Sequence, residues 1–239
     1  MDHRFTEIFG TVTSPYLPTL ADGAARLSVT LKTEAQPYGE FIASWSCQAN
    51  GSPMPFQLQV NSSCLETEQA LVLEARCSTA PGQAGTVAFA SQPFAGEAST
   101  QVGPLDLLLE PIDGIAQATA EKMPIPPAII PLSGVIQIPP ELMLEEAYLD
   151  TTLLLIQEDG YSNRASSNIA EHSRLIRQPN APFTLLLDAS VIPPGYRVKL
   201  HMGLFSLDRQ QLLAGNVIKN LDLSNPMDLS EIILRKPRR

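Results

Sequence analysis

The chain has 239 residues, of which 44% are hydrophobic and 17% are charged, and its formal net charge is −9. This composition excludes an intrinsically disordered chain, which would be rich in charge and poor in apolar residues. The acidic balance also argues against a nucleic-acid partner, because binding to phosphates depends on Lys and Arg.

Strand patterns dominate the first part of the chain. Residues 26–32 alternate the apolar Leu27, Val29 and Leu31 with polar residues, and the alternation returns at 56–60 and 71–75. Clusters of Gly, Pro and Asn separate these runs and are typical of turns. The spacing predicts about seven short strands before residue 112 and no long helix.

Residues 112–131 are rich in Ala and Pro and are predicted to be a linker. The blocks that precede it then return in the same order. Residues 41–60 and 168–187 share Ile-Ala, Ser, Pro-Phe and Leu at one fixed offset without a gap, and the second copy carries an insertion around 158–163. The shared residues are mostly apolar ones two positions apart, as a common strand backbone would require.

These patterns predict an all-β protein made of two tandem small antiparallel β-sandwich domains joined by the Pro-rich linker. The first domain is expected at residues 1–111 and the second at residues 132–239. The shared apolar positions are expected to form the interiors of two separate sandwiches.

Three cysteines, Cys47, Cys64 and Cys77, lie in the first third of the chain, and none has the spacing of a zinc or redox site. Two interpretations stay open: three small buried hydrophobic residues, or one disulfide with a leftover thiol. If the strands that contain the cysteines run as successive hairpins, Cys47 and Cys77 lie at the same end and are the candidate disulfide pair.

No group of residues in the sequence has the pattern of a catalytic or metal site. The sequence contains no nucleophile elbow and no Gly-rich phosphate loop. His172 and His201 fall at predicted outward positions and are interpreted as surface residues. An enzyme would need a cleft that gathers Glu145, Asp159 and His172. The expectation is therefore a protein without enzymatic activity, cofactor or metal.

Aromatic residues are the best candidates for a binding surface. Phe41 and Trp45 lie four positions apart on one predicted strand and share a face, which is a binding patch if it points outward and a core anchor if it points inward. The insertion supplies Tyr161 and Asn163, and a turn in the second copy supplies Tyr196. These five residues are the candidate partner-binding set.

Several strand motifs of the second copy occur in a distinctive order. They are SGVIQIPP at 133–140, AYLDTTLLL at 147–155, PFTL at 182–185 and PPGYRV at 193–198. This order resembles the YbaY/YscW family of bacterial envelope lipoproteins, and the first copy matches the same order less fully. The resemblance implies a β-sandwich of the periplasm, anchored to the outer membrane in pilotins, which help a secretin ring to assemble.

The sequence contains no lipobox cysteine and no apolar run near the roughly 20 residues of a membrane span, so membrane association is expected only through an anchor outside this sequence. The predicted function is a non-enzymatic, pilotin-like binding or assembly factor whose partner is another envelope protein, such as a secretin or a secretion-system component. An exposed sheet edge or an apolar groove would receive the partner, and the duplication would offer two such surfaces. The alternative is a carbohydrate-binding sandwich in which Trp45, Tyr161 or Tyr196 stacks on sugar rings.

Overall fold

The computed structural model describes residues 5–14, 25–34, 39–78, 85–95, 100–112, 126–142, 146–159, 162–223 and 227–237. The strands are β1 (Phe5–Thr13), β2 (Ala25–Thr33), β3 (Phe41–Ala49), β4 (Met54–Asn61), β5 (Leu71–Ser78), β6 (Thr86–Phe94), β7 (Gln101–Leu108), β8 (Glu110–Pro111), β9 (Ile129–Gln137), β10 (Ala147–Asp159), β11 (Ser162–Ile176), β12 (Asn180–Asp188), β13 (Tyr196–Phe205), β14 (Leu212–Leu221) and β15 (Met227–Ile233). Short 3-10 helices occur at Ser62–Cys64, Pro140–Leu142 and Ala189–Val191. Below, β1–β8 are called the first half and β9–β15 the second half.

The predicted all-β sandwich is confirmed. In β2, the side chains of Leu27, Val29 and Leu31 are fully buried and alternate with half-buried polar residues. One face of each such strand therefore supplies the core and the other face meets solvent. A nine-stranded sheet forms one layer, and two three-stranded sheets lie against its inner face.

Both halves follow the same strand plan. In the first half, β1 pairs antiparallel with β4 and parallel with β7, while β3, β2, β5 and β6 form consecutive neighbours. In the second half, β9 pairs antiparallel with β12 and parallel with β15, while β11, β10, β13 and β14 are neighbours in the same order. The sequence repeat thus corresponds to a repeated topology.

The two halves do not have separate interiors, which corrects the expectation of two isolated sandwiches. β3 pairs antiparallel with β11, so the two four-stranded arrays join into one sheet, and the buried residues of both halves form one hydrophobic core. The physical reason is that β3 and β11 would otherwise expose unpaired backbone groups at a sheet edge. The domain limits at residues 111 and 132 stay a prediction; β9 begins at Ile129, inside the predicted linker, and residues 113–125 lie outside the described residues.

The junction of β3 and β11, called the seam below, has an internal two-fold relation. In the sequence repeat, Trp45 corresponds to His172, and the seam places these two residues directly opposite each other. Cys47 lies opposite Ala170 in the same register. Because corresponding residues meet at the centre, an approximate two-fold axis passes between Trp45 and His172, as in an isologous dimer interface.

Both central residues of the seam point inward and bond to the opposite half. Trp45 Nε1 donates a hydrogen bond to the Leu186 carbonyl oxygen of β12 at 3.3 Å, and the Gln59 backbone N–H of β4 donates to His172 Nε2 at 3.5 Å. The exposed fraction is 0% for Trp45 and 1% for His172. The prediction that His172 is a surface residue is therefore wrong, and Trp45 is a core anchor, because β4 and β12 cover this face of the sheet.

Arg174 is a buried cation beside the seam, with an exposed fraction of 1%. Its guanidinium donates to the backbone carbonyl of Gln59 at 3.1 Å and to that of Pro182, and lies 4.9 Å from the ring centroid of Phe5. Within the described residues no carboxylate forms an ion pair with it, and burial lowers its pKa to about 9. Carbonyl dipoles and the aromatic ring thus stabilise the charge and tie β11 to β4 and β12.

The candidate disulfide between Cys47 and Cys77 does not form; the structure agrees with the other interpretation, three small buried residues, since Cys47, Cys64 and Cys77 are all free and buried. Cys47 and Cys77 lie on the strands that flank β2, each opposite Leu27. Two strand spacings amount to about 10 Å, beyond the roughly 7 Å Cα separation that a disulfide allows. The hairpin assumption was wrong, because the chain leaves β3 for the other layer as β4 before it returns as β5. Burial raises the pKa of each thiol.

The buried imidazole of His172 predicts a pH-dependent stability. Burial, and then the nearby charge of Arg174, hold the pKa of His172 well below its ordinary value of 6.5. Below about pH 6.5, the unfolded chain therefore takes up a proton that the folded chain does not. The contribution of neutral His172 to the free energy of unfolding is thus fully present above that pH and is lost as the pH falls.

We expect the substitution His172→Gln to remove this dependence. Between about pH 6.5 and pH 5.5, the unfolding free energy of the original protein should fall more steeply than that of the variant, by up to about 1.4 kcal/mol per pH unit. Urea unfolding followed by far-UV circular dichroism measures both slopes. Carboxylate titration is common to both proteins, so equal slopes would show that His172 titrates normally when folded.

Candidate functional site

A groove of about 480 Å³ crosses the outer face of β10, β13 and β14 in the second half. Its lining is mainly apolar and is provided by Leu154, Phe205, Leu212, Val217 and Pro237. The exposed fractions of Leu212 and Val217 are both 43%, so the sheet presents large apolar side chains to solvent here. Apolar patches of this kind on a soluble protein often mark binding sites.

Two glycines form the floor of the groove. Gly203 of β13 and Gly215 of β14 are directly opposite each other, and no side chain rises from either position. The ring of Phe205 folds over Gly203, since a Cβ atom built on that glycine would lie 2.6 Å from the ring. An aromatic ring beside a strand glycine covers the exposed backbone and keeps the depression apolar.

One row of four residues spans the groove from side to side. Asp150, Gly203, Gly215 and Arg235 are successive cross-strand partners. With strands about 4.8 Å apart, the row spans about 14 Å. It has a carboxylate at one end, a guanidinium at the other and a glycine floor between them.

The carboxylate end of the row is held by Arg209, which lies in the turn between β13 and β14. A guanidinium nitrogen lies 3.6 Å from the Asp150 carboxylate, and another donates to Ser173 Oγ at 2.8 Å. The same guanidinium lies 4.1 Å from the ring centroid of Tyr148 and 4.9 Å from that of Phe41. Asp150 and the predicted binding residue Phe41 therefore both contact Arg209 of the same chain.

The corresponding surface of the first half is filled. The strand repeat places Arg76 and Phe89 at the positions of Gly203 and Gly215, and these two residues are also direct partners. The guanidinium of Arg76 lies 5.4 Å from the ring centroid of Phe89. At equivalent strand positions, the first half thus has a guanidinium stacked on a ring, and the second half has two glycines.

Charged groups complete this filled surface. Lys32 lies 2.8 Å and Arg76 lies 3.0 Å from the Glu74 carboxylate. Burial alone would raise the pKa of Glu74, but hydrogen bonds from Lys32 and Arg76 lower it overall. The second half has Leu154, His201 and Gly203 at these three positions.

His201 is the ionisable group in the middle of the groove. Its side chain is half-buried on the outer face, as the sequence predicted. Burial and the neighbouring charge of Lys199 lower its pKa below 6.5, so its imidazole is mainly neutral at pH 7. A neutral imidazole offers one hydrogen-bond donor and one acceptor to a ligand.

Two of the residues predicted to bind a partner, Trp45 and Tyr196, do not line the groove. Trp45 is buried at the seam, and Tyr196 is half-buried at the start of β13, where it packs against the core. Tyr161 and the side chain of Asn163 lie outside the described residues. Trp45, one of the three rings named for the carbohydrate-binding alternative, is enclosed and cannot stack on a sugar.

For the enzymatic alternative, His172 lies inside the seam, whereas Glu145 and the side chain of Asp159 lie outside the described residues. Across the described ranges, no three His, Cys, Asp or Glu side chains come close enough to hold a metal ion. In the same ranges, no helix has the length and apolarity needed to cross a bilayer.

Comparisons with known proteins give weak similarities. No protein-family model matches the chain, and no curated protein matches it. An alternative pilotin from the type II secretion system of Vibrio cholerae is similar at 22% identity over 45% of this chain and 98% of its own, with a TM-score of 0.35. A putative adhesin from Bacteroides ovatus is similar at 10% identity over 97% and 93% of the two chains, with a TM-score of 0.25. The shaft pilin SpaA from Lactobacillus rhamnosus GG is similar at 11% identity over 98% and 99%, also with a TM-score of 0.25. Scores this low carry no argument about function.

The environment of His201 can be tested by NMR titration of the full chain. We expect a pKa below 6.5, and we expect the substitution Lys199→Gln to raise it, because one of the two causes is removed. The resonance of His172 should not titrate in the same range and serves as an internal reference. A His201 pKa that is at or above 6.5 and does not change on Lys199→Gln would contradict the partial burial of His201 beside Lys199.

Proposed function

We propose that the chain is a non-enzymatic binding or assembly factor of the bacterial envelope, and that a partner protein binds the groove of the second half. The observation that carries the proposal is the replacement of the Arg76–Phe89 pair of the first half by Gly203 and Gly215. At these equivalent positions among the described residues, the first half has a stacked guanidinium and ring, whereas the second half has the glycine floor of the apolar groove.

The chemistry of the groove supports a protein ligand. Apolar walls with polar groups at the rim are typical of protein interfaces and ligand clefts. The walls stand on paired strands, which hold Leu154, Phe205 and Val217 in fixed positions. A rigid apolar surface loses little conformational entropy on binding, which favours affinity.

The strand motifs that resemble the YbaY/YscW lipoproteins support the finer part of the proposal. On that basis we place the protein in the periplasm, associated with the outer membrane through an anchor outside this sequence. Its role would be pilotin-like, with a secretin or another secretion-system component as partner. The duplicated chain would use one half for binding and the other as a packed support, instead of offering two equal surfaces.

The proposal is tested by filling the groove with the residues of the first half. The triple substitution Leu154→Lys, His201→Glu and Gly203→Arg copies the Lys32–Glu74–Arg76 cluster. We expect at least about a tenfold loss of partner recovered with the tagged full chain from cross-linked envelopes, because buried apolar contacts at an interface centre dominate binding. Quantitative mass spectrometry measures the recovery.

A matched control carries the reverse exchange, Lys32→Leu, Glu74→His and Arg76→Gly, on the first half. It should leave recovery unchanged, and circular dichroism should show that both variants fold. Equal recovery with the original chain and the filled variant would contradict a partner site in the groove.

A further inference from the structure

The groove is electrically asymmetric, and this limits what it can bind. Resting on the function proposed above, we infer that its ligand is an acidic peptide segment of the partner with one large apolar side chain. The apolar side chain packs on the Phe205 ring that covers Gly203 and on the open backbone of Gly215, and the acidic group binds Arg235 and Lys236 at the rim.

The basic end is fixed by backbone hydrogen bonds. The N–H of Arg235 donates to the Gly215 carbonyl at 3.0 Å, and the N–H of Gly215 donates to the Arg235 carbonyl at 2.9 Å. Directly opposed residues on antiparallel strands project to the same face, so the Arg235 side chain stands on the groove side. Arg235 and Lys236 are exposed, and neither forms an ion pair with any carboxylate among the described residues.

The opposite end does not cancel this positive charge. Asp150 is engaged by Arg209 and accepts a hydrogen bond from Ser173 Oγ. Lys199 adds a further cation beside His201. The chain as a whole carries a net charge of −9, so a rim with two cations that form no ion pair with the described carboxylates is a local exception. Such a site favours an anionic ligand by charge complementarity.

Glu141 is a carboxylate close to the basic rim of the groove. It lines a second recess of about 420 Å³ that shares Leu212, Lys236 and Pro237 with the groove. Its negative charge therefore weakens the attraction of Lys236 for an acidic group, and Arg235 is the stronger of the two contacts.

The first half provides an internal comparison for the charge. There the row ends in Glu110, which lies opposite Phe89 as Arg235 lies opposite Gly215. The exchange of Phe89 for glycine thus coincides with a reversal of charge at the next position. Opening of the floor and a basic rim occur together in the second half, which is the combination that an acidic, apolar ligand needs.

The spacing of the row sets the spacing in the ligand. From the centre of the glycine pair to Arg235 is one and a half strand spacings, or about 7 Å. An extended peptide advances about 3.3 Å per residue, so two positions separate the apolar residue from the acidic one. The inferred motif is therefore an aromatic or large aliphatic residue with Asp or Glu two positions away.

The test is fluorescence polarisation of the full chain with three pools of labelled octapeptides. The first pool has Phe at position 4 and Glu at positions 2 and 6, so that either chain direction is covered, with all other positions randomised. The second pool has Lys in place of Glu, and the third has Ser in place of Phe. We expect the first pool to bind at least about tenfold more tightly than the other two, since both features contribute to affinity.

Charge reversal at the rim is the second arm. The double substitution Arg235→Glu with Lys236→Glu should weaken binding of the first pool at least about tenfold and strengthen binding of the Lys pool. The control is the double substitution Arg197→Glu with Lys219→Glu, in which Lys199 is kept. It changes the net charge by the same amount at positions outside the groove lining. It should leave the preference for the acidic pool in place.

The outcomes separate this inference from the proposed function. If the filled-groove variant loses its partner while rim reversal leaves binding of the first pool unchanged, the acidic-peptide inference is overturned and the groove remains a partner site. No difference among the three pools also overturns it. Rim-dependent binding of phosphatidylglycerol vesicles without binding of the acidic pool would assign the groove to a lipid surface instead, and overturns it as well.

Discussion

The antiparallel pairing of β3 with β11 is the constraint on which the rest of the structure depends. It joins two copies of one strand plan into a single sheet and gives them a common core. It also removes two sheet edges that would otherwise invite pairing with other chains. Around the two-fold axis, Trp45 and His172 each reach the opposite half, and Arg174 ties three strands together. The seam leaves the outer faces of both halves in one continuous layer, where the two copies differ in side chains without disturbing the interior.

Much of the fold could be predicted from sequence because burial imposes a period of two on strands. The alternation of Leu27, Val29 and Leu31 is such a signal, and its return in the second copy indicates a shared plan. The seam could not be predicted, because nothing in a local pattern says that two halves share a sheet. His172 and Arg174 have polar side chains, which suggest exposure until a second layer covers them. The candidate disulfide failed for a related reason: it assumed hairpins between strands that belong to different layers.

The groove lies at positions that the sequence patterns did not single out for binding. Shared positions between the two copies report the common interior, so they cannot reveal a difference in function. The informative positions are the outward ones at which the copies differ, such as Gly203 against Arg76 and Gly215 against Phe89. Of the aromatic residues predicted to bind a partner, Trp45 is a core anchor and Phe41 packs against Arg209 within the chain. A duplicated protein can keep one copy as a support while the outer face of the other copy changes.

The seam is tested most directly by residue-resolved hydrogen exchange of the full chain. In isolated halves, β3 and β11 would be edge strands, and the alternate amides of residues 43–47 that point away from β2 would exchange rapidly. In a joined sheet these amides, and their counterparts at 170–174, donate across the seam and open only when the whole structure unfolds. The account predicts that they are protected as strongly as the amides of β2 and β10. Rapid exchange of these amides, with slow exchange in β2 and β10, would contradict it.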